Sequence, residues 1–173
     1  MPKIALIGAG SIVFSTTLLN DMLATPSLSE SEFMLMDLNQ AKLQRVENYI
    51  RRLIDRHGLK ATVGSTTDRR EALKRADYVI TTFQVGGMDA FQIDYEIPKK
   101  YGIDVCVGQC VGPGGVFRAL RSIPVMAELV RDMEELCPLA YLLNYVNPMA
   151  MLCLAIGLSS RIRFVGLCHG VQT

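Results

Sequence analysis

The amino-acid sequence predicts an α/β fold built on a doubly wound parallel sheet. Short apolar runs alternate with longer segments whose apolar residues recur every three or four positions, as strands alternate with helices. The first run, residues 4–7, has no polar side chain, which is typical of a strand buried on both faces of a parallel sheet. A chain of 173 residues can bury a sizeable core. We therefore expect one domain, residues 1–173, with strand order 3-2-1-4-5-6.

The predicted elements follow from these patterns in chain order. The second helix is the clearest, because Leu43, Val46 and Ile50 share one face and Gly58 follows its end. The third strand is more polar than the others and is expected at an edge of the sheet. Strands are predicted at residues 4–7, 32–36, 60–65, 78–83, 140–146 and 163–167. Helices are predicted at residues 12–23, 39–57, 69–75, 89–101, 116–137 and 149–158.

A glycine-rich stretch, residues 104–115, is predicted to form a loop ahead of the longest helix. A loop of this length inside a compact domain is often functional. The helix that follows is expected to turn one apolar face inward, which carries Phe117, Leu120, Ile123, Met126, Val130 and Met133. Arg118 and Arg121 fall in its first turns, an unfavourable end for cations without an anion or polar ligand. Surface exposure is the default expectation for both arginines.

Composition excludes several classes of protein. The net charge of +1 supplies no field for collecting nucleic acid or anionic membrane. The longest nearly apolar run, residues 148–158, is shorter than the roughly 20 residues that span a bilayer. No secretory leader precedes the first strand, so a cytoplasmic location is expected. The five cysteines form no C-x-x-C pair, which argues against a disulfide framework or a zinc ribbon.

The turn after the first strand predicts a pyrophosphate site. Gly8 and Gly10 permit a tight turn and a close approach of backbone to ligand, while the next helix directs amide groups at it. The fingerprint is incomplete, because Val13 stands where a third glycine is usual. A glycine turn that merely joins strand to helix is the alternative. Asp37, at the end of the second strand, is placed to accept hydrogen bonds from the adenosine ribose, which favours NAD over NADP.

Other strand ends carry further candidate residues. Asp37 also suits a helix cap or a turn ahead of Asn39. Gly86, after the fourth strand, lies where doubly wound sheets bind ligands, although a plain loop explains it equally well. Asn147, after the fifth strand, suits a ligand-facing amide or a cap for the next helix. The sixth strand delivers Cys168 and His169, which are competent metal ligands but cannot complete a metal site between them.

Taken together, these segments resemble glycoside hydrolase family four, the NAD- and divalent-metal-dependent group, and most closely its melibiase-type α-galactosidases. The resemblance spans the whole chain. It rests on six motifs: GAGS at 8–11, MD at 36–37, FQVGG at 83–87, GPGGVFRALRSIP at 112–124, LNYVNPMAM at 143–151 and GLCHGVQ at 166–172. It implies a Rossmann-type NAD-binding domain in which Gly8, Gly10, Ser11 and Asp37 hold NAD and Gly86 lies near it.

The resemblance also implies a mechanism. In that family NAD⁺ takes hydride from the sugar C3 carbon, which oxidises its hydroxyl to a ketone; a base then removes the C2 proton, and a Mn²⁺-type ion stabilises the enediolate. The glycosidic oxygen leaves by elimination, water adds, and the hydride returns. By motif, Cys168 would be a metal ligand, His169 would protonate the leaving group, and Asn147 would hold sugar hydroxyls and bind the cofactor.

The implied protein is longer than this chain. Family members continue for a few hundred residues, which carry a second metal-ligand histidine, the catalytic tyrosine and much of the sugar pocket. We therefore expect this chain to bind NAD without completing hydrolysis, and the full-length protein to cleave small α-galactosides as a homo-oligomer. Two alternatives stay open: an NAD-dependent 2-hydroxy-acid dehydrogenase, whose fold shares the Asn-Pro after the fifth strand, and a stand-alone nucleotide-binding module.

Overall fold

The computed structural model describes residues 1–104 and 110–168, which contain six strands and six helices; one helix separates successive strands, except that two helices lie between the fourth and fifth strands. The strands are β1 (Lys3–Ile7), β2 (Glu32–Met36), β3 (Thr62–Thr66), β4 (Tyr78–Thr81), β5 (Tyr141–Asn144) and β6 (Arg163–Gly166). The helices are α1 (Ile12–Ala24), α2 (Gln40–His57), α3 (Arg69–Leu73), α4 (Gly87–Lys99), α5 (Gly112–Leu136) and α6 (Met149–Ser159).

All six strands form one parallel sheet in the order β3-β2-β1-β4-β5-β6, which confirms the predicted fold class and order. β1 lies in the middle and pairs with β2 on one side and β4 on the other. β3 lies at an edge, as predicted. Because every strand runs in the same direction, the segments that follow β1, β4, β5 and β6 lie together at the carboxyl ends of the strands.

The sheet separates two hydrophobic cores. On β1, Ala5 and Ile7 join the core beneath α3, α5 and α6, whereas Ile4 and Leu6 join the core beneath α1 and α2. The polar-free run that predicted a strand buried on both faces therefore has both faces covered.

Local sequence signals fix α2 well. The side chain of Asn39 accepts a hydrogen bond from the Lys42 amide at 3.0 Å and so caps the helix start. Gly58 ends the helix in the left-handed conformation, with φ of 59°. Leu43, Val46 and Ile50 are fully buried against the sheet, as their spacing predicts.

The start of α5 differs from prediction. The helix begins at Gly112, within the segment expected to be loop, because Pro113 occupies its first turn, where the missing amide costs no hydrogen bond. Gly115 is helical and packed closely, since a Cβ there would lie 3.0 Å from the Cys110 carbonyl carbon. Residues 105–109 of the expected loop lie outside the described residues.

The expected inward face of α5 is also wrong at two positions. Phe117 is 36% and Leu120 is 66% exposed. Met126, Val130 and Met133 are buried as predicted. The same helical face runs back from Met126 through Ser122 and Ala119, at spacings of four and three residues, so Phe117 and Leu120 lie off it. Smaller differences occur at strand ends, where β4 and β5 stop two residues earlier than predicted.

Within residues 1–104 and 110–168, no helix has the length and apolar character needed to cross a membrane.

Candidate functional site

The turn after β1 is clamped between two neighbouring strand ends. The amides of Gly8 and Ala9 both donate to the Met36 carbonyl, at 2.8 and 2.9 Å. On the other side, the Thr82 hydroxyl donates to the Gly8 carbonyl at 3.0 Å. Gly8 has φ of 94°, and a Cβ there would lie 2.6 Å from the backbone nitrogen of Phe83. Glycine is therefore required here by both conformation and space.

Asp37 lies directly against this turn. Its Oδ2 accepts the Gly10 amide and its Oδ1 accepts the Asn39 amide, each at 2.8 Å. A Cβ on Gly10 would come within 2.6 Å of Asp37 Oδ2, so the missing side chain makes room for the carboxylate. Asp37 therefore forms the predicted turn ahead of Asn39, and Asn39 rather than Asp37 caps α2. A hydrogen bond from a ribose hydroxyl to Asp37 stays a prediction.

The N terminus of α1 is open beside the turn. Ser11 is its N-cap residue but makes no side-chain capping hydrogen bond, and Ile12 and Val13 are exposed. A helix N terminus next to bare glycine backbone stabilises an anion through its amide groups and dipole. The carboxylate at the end of β2 supplies the acceptor that a ribose diol needs. These residues fit a dinucleotide with its pyrophosphate at the turn.

Gly86 lies between β4 and α4. Its φ is 81°, and a Cβ there would lie 2.5 Å from the Ala90 side chain, so close packing at the start of α4 explains this glycine. Further along α4, the 4% exposed Asp94 accepts a hydrogen bond from Arg121 of α5 at 2.8 Å. This ion pair fixes α4 against α5. A role of Gly86 beside NAD stays a prediction.

Asn147 is held at the end of β5 by groups from outside that strand. Its carbonyl accepts a hydrogen bond from Arg118 Nε at 3.1 Å. Its Oδ1 accepts from the Cys110 thiol at 3.5 Å. The alternative that Asn147 caps α6 is wrong, because the N-cap residue of α6 is Pro148.

Arg118 is buried, contrary to the expectation of an exposed arginine. It is 6% exposed, and this burial lowers the pKa of its guanidinium. The unfavourable placement of cations in the first turns of α5 was the available signal. Because arginines are expected at the surface unless a partner is known, the contact of Arg118 with Asn147 was not predicted.

Cys168 follows β6 and is exposed. The Leu167 amide donates to the Asn144 carbonyl at 3.0 Å, which brings Cys168 to the same sheet edge as Asn147. Burial, and next the Cys168 thiol, raise the pKa of Cys110. The sequence did not predict the half-buried Cys110 or Thr82 as residues of this site.

The metal site is incomplete in the described part of the chain. No group of three or more His, Cys, Asp and Glu side chains gathers within residues 1–104 and 110–168. Cys168 fits as one thiolate donor, and His169 lies outside the described residues.

Residues 3–173 match the sequence model described as family 4 glycosyl hydrolase. The chain belongs to this family. It is 45% identical over 173 residues to an α-galactosidase of Bacillus subtilis (strain 168), covering 99% of this chain and 40% of that protein. It is 44% identical over 171 residues to an α-galactosidase of Rhizobium meliloti (strain 1021), covering 98% of this chain and 35% of that protein.

A solved structure agrees with the family assignment. The 6-phospho-β-glucosidase of Thermotoga maritima, crystallised with manganese, NAD⁺ and glucose-6-phosphate, superposes with a TM-score of 0.86 at 27% identity. The match covers 98% of this family 4 chain and 40% of that one. The chain thus spans about two fifths of the length of the relatives it matches. Family membership favours the glycosidase interpretation over the 2-hydroxy-acid dehydrogenase.

Proposed function

We propose that this chain is the NAD-binding part of an α-galactosidase-like family 4 enzyme that cleaves small α-galactosides with the help of a divalent metal. The observation that carries the proposal is the cradle formed by the glycine turn, Asp37 and the open N terminus of α1. The identity to two α-galactosidases supports the substrate class.

In this proposal each part of the cradle has one task. The α1 amides bind the pyrophosphate beside the turn that carries Gly8, Gly10 and Ser11. Asp37 accepts from the adenosine ribose while the Gly10 amide keeps its carboxylate in place. The same negative charge repels a 2′-phosphate, so NADP⁺ binds more weakly than NAD⁺.

In the same proposal, the residues that follow β5 and β6 act on the reacting sugar. Asn147 binds sugar hydroxyls and the nicotinamide half of NAD⁺, Cys168 is a metal ligand, and His169 protonates the departing glycosidic oxygen. When bound, NAD⁺ would supply reversible hydride transfer at the sugar C3 carbon, and the resulting ketone would acidify the C2 proton so that its removal expels the glycosidic oxygen from C1. Residues outside this chain complete the metal site and sugar pocket in this proposal, which the greater length of the two α-galactosidases supports.

Calorimetric titration of NAD⁺ and NADP⁺ into the 173-residue chain tests the cofactor assignment. We expect NAD⁺ to bind with the higher affinity, and equal affinities or no binding would contradict the role of Asp37 or of the cradle. With NAD⁺ and Mn²⁺ present, the chain alone is expected to release no p-nitrophenol from p-nitrophenyl α-galactoside.

A chimera tests the substrate class. Residues 1–173 would replace the matching part of the Bacillus subtilis α-galactosidase, to which they are 45% identical. We expect hydrolysis of p-nitrophenyl α-galactoside that requires both NAD⁺ and Mn²⁺. A folded chimera that binds NAD⁺ but acts only on 6-phosphoglucosides would contradict the galactoside assignment.

A further inference from the structure

Two buried polar residues, Thr81 and Asn144, lie side by side at the ends of β4 and β5. They are register partners in the sheet, and both are 0% exposed. The Thr81 hydroxyl donates a hydrogen bond to Asn144 Oδ1 at 3.0 Å. Buried polar groups in the centre of a sheet lower stability unless they are hydrogen-bonded. The other partners of Asn144 therefore indicate what this pair does.

The Asn144 side chain binds the backbone two residues further on. Its Oδ1 accepts the Val146 amide at 3.0 Å, and its Nδ2 donates to the Val146 carbonyl at 3.2 Å. The sheet pairing ends just before, where the Tyr145 amide donates to the Thr81 carbonyl. Asn144 thus takes the place of a neighbouring strand as the partner of Val146 and directs the chain into Asn147.

Asn147 is also held by a residue of α5. Arg118 Nε donates to its carbonyl at 3.1 Å, so the turn is held between a buried amide and a buried guanidinium. A dinucleotide in a doubly wound sheet lies across the strand ends with its pyrophosphate at the first turn. Asp37 marks the adenosine half at β2, so Asn147, beyond β4, lies on the nicotinamide half.

We propose that Thr81 and Asn144 are positioning residues for the nicotinamide end of the cofactor, which hold Asn147 in place through the Val146 backbone. The inference rests on the proposed NAD-binding function. Thr81 supplies the donor that orients the Asn144 amide, with Oδ1 toward Thr81 and the Val146 amide and Nδ2 toward the Val146 carbonyl. Neither side chain touches the cofactor itself.

The test compares NAD⁺ with ADP-ribose, which lacks the nicotinamide, by calorimetry on the 173-residue chain. Thr81→Val keeps the side-chain shape but removes the hydroxyl donor. We expect it to weaken NAD⁺ binding about fivefold, the effect of one neutral hydrogen bond, and to change ADP-ribose affinity less than about twofold. Thr81→Ser retains the donor and is expected to restore NAD⁺ affinity.

The matched stability control is Ile54→Val, a buried change near the end of α2 and away from the strand ends. It should leave both affinities unchanged. Equal weakening of NAD⁺ and ADP-ribose by Thr81→Val, or no weakening of either, overturns the positioning role. Failure of both ligands to bind the wild-type chain refutes the NAD-binding function itself, and the positioning role with it. If Thr81→Val does not fold, Thr81→Cys replaces it, because the thiol retains a weak donor. Thr81→Cys is expected to give intermediate NAD⁺ affinity and unchanged ADP-ribose affinity. Wild-type NAD⁺ affinity in Thr81→Cys would count against the proposal.

Discussion

Replacing Gly8 with alanine is expected to destabilise the fold far more than the same change at Gly58. Both glycines have positive φ, 94° and 59°. At Gly58 a Cβ would meet nothing within 4 Å, so alanine there costs only the backbone conformation, about 1–2 kcal/mol. At Gly8 the Cβ would lie 2.6 Å from the Phe83 nitrogen and 2.8 Å from its Cα. These are backbone atoms, so no side-chain rotation relieves the contact.

Relief at Gly8 requires the ends of β1 and β4 to separate. That movement would break the hydrogen bonds from the Thr82 amide to Ile7 and from the Thr82 hydroxyl to Gly8, each worth about 1 kcal/mol. Added to the backbone cost, this gives a loss of about 3–4 kcal/mol for Gly8→Ala.

Urea unfolding followed by circular dichroism measures both variants against the wild type. Gly58→Ala should also keep wild-type NAD⁺ affinity. A Gly8→Ala loss within about 1 kcal/mol of the Gly58→Ala loss would refute the clamped turn.

Three further predictions concern other parts of the fold. Arg121→Met leaves the buried Asp94 carboxylate without its guanidinium and should lower the free energy of unfolding by about 3 kcal/mol, measured by urea unfolding. The double variant that also carries Asp94→Leu should recover much of that loss. A further loss of stability in the double variant would contradict the ion pair. Burial raises the pKa of Cys137 to about 11, so between about pH 9 and 11 the native state keeps a proton that the unfolded thiol loses. The free energy of unfolding should therefore fall by up to about 2–3 kcal/mol over that pH range. The free energy of unfolding of Cys137→Ala should fall less in the same denaturation series. Asp37→Ser should lower the ratio of NADP⁺ to NAD⁺ dissociation constants about tenfold in calorimetry, because the repelling carboxylate is gone; an unchanged ratio would place the ribose elsewhere.

The parts of the fold that sequence predicts best are those set by neighbouring residues. The cap at Asn39, the stop at Gly58 and the apolar stripe between them are all local signals, and α2 matches them. The strand order followed from one polar-free strand and the alternation of elements. The start of α5 was hidden, because glycine is a poor helix former and only tertiary packing against the Cys110 backbone explains Gly115.

Prediction of the site failed where a side chain's partner is distant in sequence. Arg118 was expected in solvent, yet it is buried because Asn147 supplies an acceptor 29 residues away. Asn144 is a polar residue inside a core strand, which predicts partners without naming them. The partner Thr81 follows only from the register of β4 against β5.

The relation between Gly10 and Asp37 changes the meaning of the glycine turn. In the usual interpretation the second glycine lets backbone approach the pyrophosphate. Here the space that a side chain would fill is taken by the Asp37 carboxylate, whose Oδ2 accepts the Gly10 amide. A larger residue at position 10 would therefore displace Asp37 before it met any ligand. The turn and the acidic residue 27 positions later form a single unit, in which the proposed pyrophosphate turn also sets where the proposed ribose acceptor lies.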